Sequence, residues 1–168
     1  RTLRELYLTG FELVVRESTP WTVMCSYNLV NGTYASEHRE LLTTILRDEW
    51  GFDGLVMTDW GAANDRAAGI AAGLDLEMPS SQGAFDAEVL AAVRSGALDE
   101  SAVDRCAMQV VDLLRRGASA RSGAGADPTD EHEQHDRHHR LARRAAAAGS
   151  VLLVNNGVLP LEPTGRIA

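Results

Sequence analysis

The stretch GLVMTDWGA, residues 54–62, joins a short apolar segment to a carboxylate and an indole ring. The apolar residues 55–57 are flanked by glycine and polar residues, as expected of a strand that is buried on both faces. Asp59 and Trp60 follow directly, at the carboxyl end of the predicted strand. In folds built from parallel strands, ligands bind at this edge of the sheet. The stretch therefore indicates both a fold class and the position of a site.

Predicted strands and helices alternate on either side of this stretch. Two further segments, WTVMCSYN at 21–28 and GLDLEMP at 73–79, have the length and the flanking turn residues of strands. Apolar periodicity and stop signals predict helices at residues 1–15, 39–50, 64–72, 84–95 and 99–116. This alternation predicts an α/β fold with parallel strands covered by helices. A portion of a (β/α)8 barrel and a doubly wound sheet both fit.

The polar residues at the strand ends favour the barrel. Each predicted strand ends in such residues: Tyr27-Asn28, Asp59-Trp60, and Asp75 with Glu77. Only a closed barrel brings side chains from many strands together at one central site. The turns also contain neither G-x-G-x-x-G nor G-x-x-x-x-G-K, so a nucleotide-binding sheet is the weaker alternative. At 168 residues the chain is shorter than the roughly 250 residues of a complete barrel.

Composition excludes several classes of protein. The net charge is −8 and no basic stripe is visible, which argues against a nucleic-acid partner. No apolar run approaches the roughly 18 residues of a membrane-spanning helix, so no membrane partner is expected. Compartment and oligomeric state stay open.

Cysteines and histidines do not form a metal-binding pattern. Cys25 and Cys106 are expected to be packing residues. The segment DEHEQHDRHHR, 130–140, places His132, His135 and His139 on one helical face, but it lacks the H-E-x-x-H spacing. We expect a solvated charged helix there, preceded by a flexible loop at 117–130, and no metal site.

Four segments resemble, in order, the signature blocks of the glycoside hydrolase family 3 β-glucosidases. They are VMCSYNLVNG (23–32), LLTTILRDEWGFDGLVMTDWGA (41–62), AGLDLEMP (72–79) and SVLLVNNGVLPL (150–161). The resemblance implies that Asp59 is the catalytic nucleophile. It also implies that Trp60, Tyr27 and Met24 line the subsite for the terminal sugar, and that no cofactor is needed.

The resemblance also implies a domain organisation. Residues 1–116 are expected to form the C-terminal half of a (β/α)8 TIM-like barrel, residues 117–149 a helical linker, and residues 150–168 the start of an α/β sandwich domain, with its first strand at 151–154. We expect the chain to be an internal piece of a longer protein. Val154 stands where the family usually has lysine, and an Asp, an Arg and a Lys-His pair that hold sugar hydroxyls in similar enzymes belong to strands upstream of this chain.

Retaining glycoside hydrolysis needs a second carboxyl group about 5–5.5 Å from the nucleophile. Asp75 and Glu77 lie two apart on a predicted strand and share a face, but structural roles are expected for both. Asp53 is predicted to be a turn residue between glycines. No carboxylate of this chain has a better claim to be the general acid/base, and the resemblance implies that this group lies outside this chain, in the sandwich domain.

The residues and the resemblance together predict a retaining β-glucosidase acting on small-molecule β-glucosides or oligosaccharides. A carboxylate at the end of a rigid strand can attack a polarised carbon with little reorganisation, and an adjacent indole packs against the C–H face of a sugar. Alternatives are a β-xylosidase or β-N-acetylglucosaminidase of the same family, or a non-catalytic sugar-binding remnant. The isolated chain is expected to be inactive.

Overall fold

The structure is a computed structural model and describes residues 1–123 and 131–161. It divides into two compact units, which separate after Gly123.

The first unit contains a small parallel sheet. Strand β1 (Thr22–Cys25) pairs in parallel with strand β4 (Leu55–Thr58), with Met24 opposite Met57. On the other side of β4, the predicted third strand forms a single parallel bridge, between Met57 and Leu76. The predicted parallel arrangement is confirmed, and β4 lies between its two neighbours. The third strand is shorter than predicted, because the Val56 amide of β4 bonds to the side chain of Asp75 and not to a main-chain carbonyl.

A β-hairpin follows β1. Strands β2 (Leu29–Val30) and β3 (Thr33–Tyr34) pair antiparallel around Asn31-Gly32. Both turn residues have positive φ angles, 51° and 90°, as a two-residue hairpin turn of this kind requires. These two strands, each only two residues long, are too short to give an alternating pattern in the sequence.

Helices surround the sheet. In chain order they are a π-helical segment Leu3–Tyr7, α1 Thr9–Ser18, a 3-10 turn Ala35–Glu37, a π-type helix Glu40–Glu49, α2 Arg66–Ala72, α3 Asp86–Ser95 and α4 Glu100–Gly123. The predicted helices are confirmed, but α4 runs seven residues beyond its predicted end. The loop predicted from residue 117 is thus wrong as far as Gly123, because alanine and arginine in 118–121 favour helix and outweigh the cost of Gly117. The rest of that predicted loop lies outside the described residues.

The core of this unit lies beneath the Glu40–Glu49 helix. Its predicted apolar face is buried and packs around Val56 of β4, together with Phe52 and Leu74. The apolar face of the first helical region behaves differently, because only Val15 is buried there, whereas Leu6 and Phe11 are 75% and 57% exposed. A second buried cluster joins Ile70, Leu98 and Cys106.

The second unit is described over residues 131–161 and contains helix α5 (Glu131–Gly149). The predicted solvated helix is confirmed, since nearly all of its described side chains are exposed. The strand predicted at 151–154 is wrong for this structure: these residues pair with no strand among those described, and their side chains are 63–87% exposed. A strand needs a hydrogen-bonded neighbour, and residues 1–123 and 131–161 supply none for this segment.

Within the described residues, no group of three or more His, Cys, Asp or Glu side chains is arranged to hold a metal ion. None of the helices in the described part of the chain is long and apolar enough to span a membrane. Residues 162–168, which were expected to belong to the sandwich domain, lie outside the described part of the chain.

Candidate active site

Asp59 lies at the carboxyl end of β4, and its main chain is fixed on both sides. Its amide donates to the Cys25 carbonyl of β1 at 3.1 Å, and its carbonyl accepts from the Ala62 amide at 3.0 Å. The first bond belongs to the parallel ladder and the second closes a turn. The backbone that carries the carboxylate is thereby held before any ligand arrives.

The carboxylate of Asp59 is held through one oxygen. Its Oδ1 accepts from the Trp60 amide at 2.6 Å and from the Tyr27 hydroxyl at 3.1 Å. The same hydroxyl lies 2.8 Å from the Trp60 carbonyl, so one proton is shared between two acceptors. Among the described residues, Oδ2 accepts no hydrogen bond. The arrangement orients the carboxylate while one oxygen stays available for nucleophilic attack.

Trp60 presents its indole to solvent. Its side chain is 67% exposed, and the following residue, Gly61, turns the chain with a φ of 82°. The Gly61 amide donates to the Met78 carbonyl at 2.8 Å, which anchors this turn to the segment beside β4. Trp60 therefore lies next to the carboxylate without forming part of the buried core.

The structure brings Tyr27 to Asp59 and places Met24 elsewhere. Met24 is 56% exposed and lines an apolar groove of about 740 Å³ with Phe11, Leu41 and Trp50 among its walls. The lining residues of this groove do not include Asp59. Of the four predicted site residues, Tyr27, Asp59 and Trp60 thus form one cluster, and Met24 contributes to a neighbouring surface.

The groups beside Asp59 remain protonated near neutral pH. Desolvation and then the Asp59 carboxylate raise the pKa of Tyr27, so its hydroxyl stays a hydrogen-bond donor. Burial likewise raises the pKa of the Cys25 thiol on the adjacent strand. The side chains of Tyr27 and Cys25 are consequently both neutral beside Asp59.

The other carboxylates have structural roles. Asp75 is buried and accepts from Arg47 Nη2 at 2.6 Å. Burial raises the pKa of Asp75, and the Val56 amide and the nearby guanidinium groups oppose that rise. Glu77 accepts from Ser81 at 3.2 Å. These pairings support the structural roles expected from the sequence.

The sequence does not indicate the partners of Asp75, because Arg47 is 28 positions away along the chain. Asp53, predicted to be a turn residue, is itself exposed between buried Phe52 and Gly54 and pairs with Arg116 at 3.2 Å. No spacing rule for short motifs reports contacts over such separations. The sequence indicates only that such a partner must exist, since a buried acid needs a cationic or hydrogen-bonding partner.

Residues 1–113 match the model of the glycosyl hydrolase family 3 N-terminal domain. The chain belongs to glycosyl hydrolase family 3. Thermostable β-glucosidase B of Acetivibrio thermocellus is 47% identical over 169 residues, which cover 100% of this chain and 22% of that protein. An exo-α-(1→6)-L-arabinopyranosidase of Bifidobacterium longum is 44% identical, over 96% of this chain and 21% of the relative.

Solved structures of the family show the same relationship. The family 3 β-glucosidase of Bifidobacterium adolescentis superimposes with a TM-score of 0.72 at 44% identity, covering 96% of this chain and 23% of that one. β-Glucosidase 3B of Thermotoga neapolitana, in complex with glucose, gives 0.70 at 37% identity over the same shares. The family 3 chain described here therefore has an α/β fold like these neighbours and spans about a fifth of their length.

Proposed function

We propose that this chain is the nucleophile-bearing part of a retaining glycoside hydrolase that removes terminal β-D-glucosyl residues. Residues 1–116 supply the C-terminal half of a (β/α)8 barrel, 117–149 a linker, and 150–168 the beginning of a sandwich domain in a longer polypeptide. The observation that carries the proposal is the Asp59 carboxylate, whose Oδ1 is held by Tyr27 and the Trp60 amide while Oδ2 stays available.

The proposed reaction proceeds in two displacements. Asp59 Oδ2 attacks the anomeric carbon, the bond to the leaving oxygen breaks, and an acid outside this chain donates a proton to that oxygen. Water then attacks the glycosyl ester, gives up a proton to the same group, and releases the sugar with its configuration retained. The indole of Trp60 packs against the sugar ring and orients it, and the Tyr27 hydroxyl stabilises the charge that returns to Asp59.

A second sugar specificity has a specific observation in its favour. Two of the relatives, at 44% and 43% identity, are exo-α-(1→6)-L-arabinopyranosidases. Their sequence identity to this chain is similar to that of the β-glucosidases. Hydrolysis of a pentopyranoside requires the same attack on an anomeric carbon. Activity of the complete polypeptide on aryl β-D-glucosides, β-D-xylosides, β-N-acetylglucosaminides and α-L-arabinopyranosides distinguishes these specificities.

The nucleophile is tested by trapping the covalent intermediate. The complete polypeptide is incubated with an activated 2-deoxy-2-fluoro-β-glucoside, whose glycosyl ester hydrolyses slowly, and then digested and examined by mass spectrometry. We expect the added sugar mass on the peptide that contains Asp59, and its loss in Asp59→Asn. Labelling of another carboxylate refutes the assignment, and binding without labelling or turnover indicates the non-catalytic remnant.

A further inference from the structure

The amides of β4 point alternately to its two neighbours. Leu55 N donates to the Trp21 carbonyl and Asp59 N to the Cys25 carbonyl, both on the β1 side and both at 3.1 Å. Thr58 N points the other way and donates to the Leu76 carbonyl at 3.0 Å. By this alternation Val56 N also faces the second neighbour. Its acceptor there, at 2.8 Å, is the side-chain oxygen Oδ2 of Asp75.

The carboxylate of Asp75 therefore takes the place that a main-chain carbonyl occupies in an ordinary ladder. The carbonyls just before it are engaged elsewhere: Leu74 O accepts from Cys106 Sγ at 3.3 Å and Gly73 O from Arg47 Nη2 at 3.2 Å. Val56 O in turn accepts from the amides of Asp75 and Leu76, at 2.9 and 3.0 Å. The side chain of Asp75 thus supplies one of the hydrogen-bond acceptors of the sheet.

Two arginines hold this carboxylate from the helices around it. Arg47, on the Glu40–Glu49 helix, places Nη2 2.6 Å from Asp75 Oδ2 and donates through Nη1 to the Gly54 carbonyl at 3.1 Å. Arg105, on α4, places Nε 3.8 Å from Asp75 Oδ1 and donates through Nη2 to the Ile70 carbonyl of α2 at 2.8 Å. The Asp75 side chain is fully buried, with 0% exposed. The carboxylate thereby pairs β4 with arginines from two helices, and Arg105 extends the contact to α2.

We propose that Asp75 is a positioning residue for the nucleophile: its carboxylate, inserted in the ladder of β4 and tied to Arg47 and Arg105, fixes the strand that presents Asp59. The proposal rests on the proposed role of Asp59. Val56 lies on β4 and Asp59 directly follows that strand, three residues or about 10 Å further along, so a displacement of β4 at Val56 also moves the backbone that carries Asp59. A shift of about 1 Å at a nucleophile lowers a rate by up to about 100-fold.

The test compares Asp75→Asn and Asp75→Ala in the complete polypeptide. The amide oxygen of asparagine still accepts from Val56 N but carries no charge for Arg47, whereas alanine provides neither interaction. Leu98→Ala is the matched control, because Leu98 is buried in the separate cluster with Ile70 and Cys106 and its loss destabilises the same unit. Folded protein is isolated by size-exclusion chromatography and checked by circular dichroism. The rate of labelling by the 2-fluoro-glucoside, kcat and KM are measured on that material.

We expect the labelling rate and kcat to fall in the order wild type, Asp75→Asn, Asp75→Ala, by about tenfold or more for alanine, with KM changed less than about threefold. Leu98→Ala, per folded molecule, keeps the wild-type rate. If alanine yields no folded protein, a reduced rate in Asp75→Asn supports the proposal and an unchanged rate overturns it. Wild-type rates in both variants, with the label still on Asp59, refute the positioning role alone. A wild-type label on another residue refutes the proposed function itself.

Discussion

Replacing Trp60 by alanine distinguishes a sugar platform from a core residue, because the first role predicts a loss of kcat/KM and the second a loss of stability. A sugar that covers about half of an indole removes about 100 Å² of apolar surface, worth about 2.5 kcal/mol at 25 cal/mol per Å². If this contact is made in the transition state, Trp60→Ala lowers kcat/KM about 70-fold. Full burial of a large apolar side chain is worth about 3 kcal/mol. At 67% exposure, Trp60 is expected to contribute about 1 kcal/mol to the free energy of unfolding.

The other two tryptophans supply matched controls. Trp50 is 7% exposed, so Trp50→Ala leaves a cavity that costs about 3–5 kcal/mol of stability. Trp21 is 44% exposed and precedes β1, at the edge of the sheet away from Asp59, so Trp21→Ala should leave kcat/KM unchanged. Each variant of the complete polypeptide is assayed with an aryl β-glucoside, and its unfolding is followed in urea. A large loss of stability in Trp60→Ala with normal turnover of the folded fraction refutes the platform role.

Two further outcomes follow from burial. The 168-residue chain expressed alone should self-associate and bind the dye ANS, because Leu6, Tyr7 and Phe11 are 57–75% exposed and β1 has one unpaired edge within the described residues; a soluble monomer with a cooperative thermal transition contradicts this. Burial raises the pKa of Cys25 and Cys106 above 9.0, so the folded state retains protons that the unfolded state releases. Their contribution to stability is complete below pH 9 and is lost as pH rises through the folded pKa values. In the complete polypeptide, urea midpoints should therefore fall in alkali less steeply for Cys25→Ala/Cys106→Ala than for wild type.

Local patterns predicted much of the first unit. The apolar periodicity of residues 39–50 predicted the face that is buried, and the glycine-bounded apolar run predicted β4 and the position of Asp59 at its end. These features depend on neighbours in sequence, which a pattern contains. The Tyr27 to Asp59 hydrogen bond spans 32 positions, and no local pattern reports it.

Features that depend on distant partners could not be predicted in the same way. The third strand is shortened because the side chain of Asp75, in place of a main-chain carbonyl, accepts the hydrogen bond from Val56. Nothing in the residue pattern of GLDLEMP indicates this replacement. The strand expected at 151–154 requires a neighbour that the described residues do not supply. Met24 lines an apolar groove with Phe11 and Trp50, which are distant in sequence, so no local pattern indicates this placement.

The role of Asp59 is tested most directly by the configuration of one product. Asp59→Gly in the complete polypeptide removes the carboxylate from a strand end that carries little packing, so the fold should persist while turnover with an activated aryl β-glucoside is lost. Added azide should enter the space of the missing carboxylate and attack the anomeric carbon from that side. We expect partial recovery of the rate and the α-glucosyl azide, identified by NMR. A β-glucosyl azide shows that azide attacked an intermediate on a surviving nucleophile, and it contradicts the assignment of Asp59.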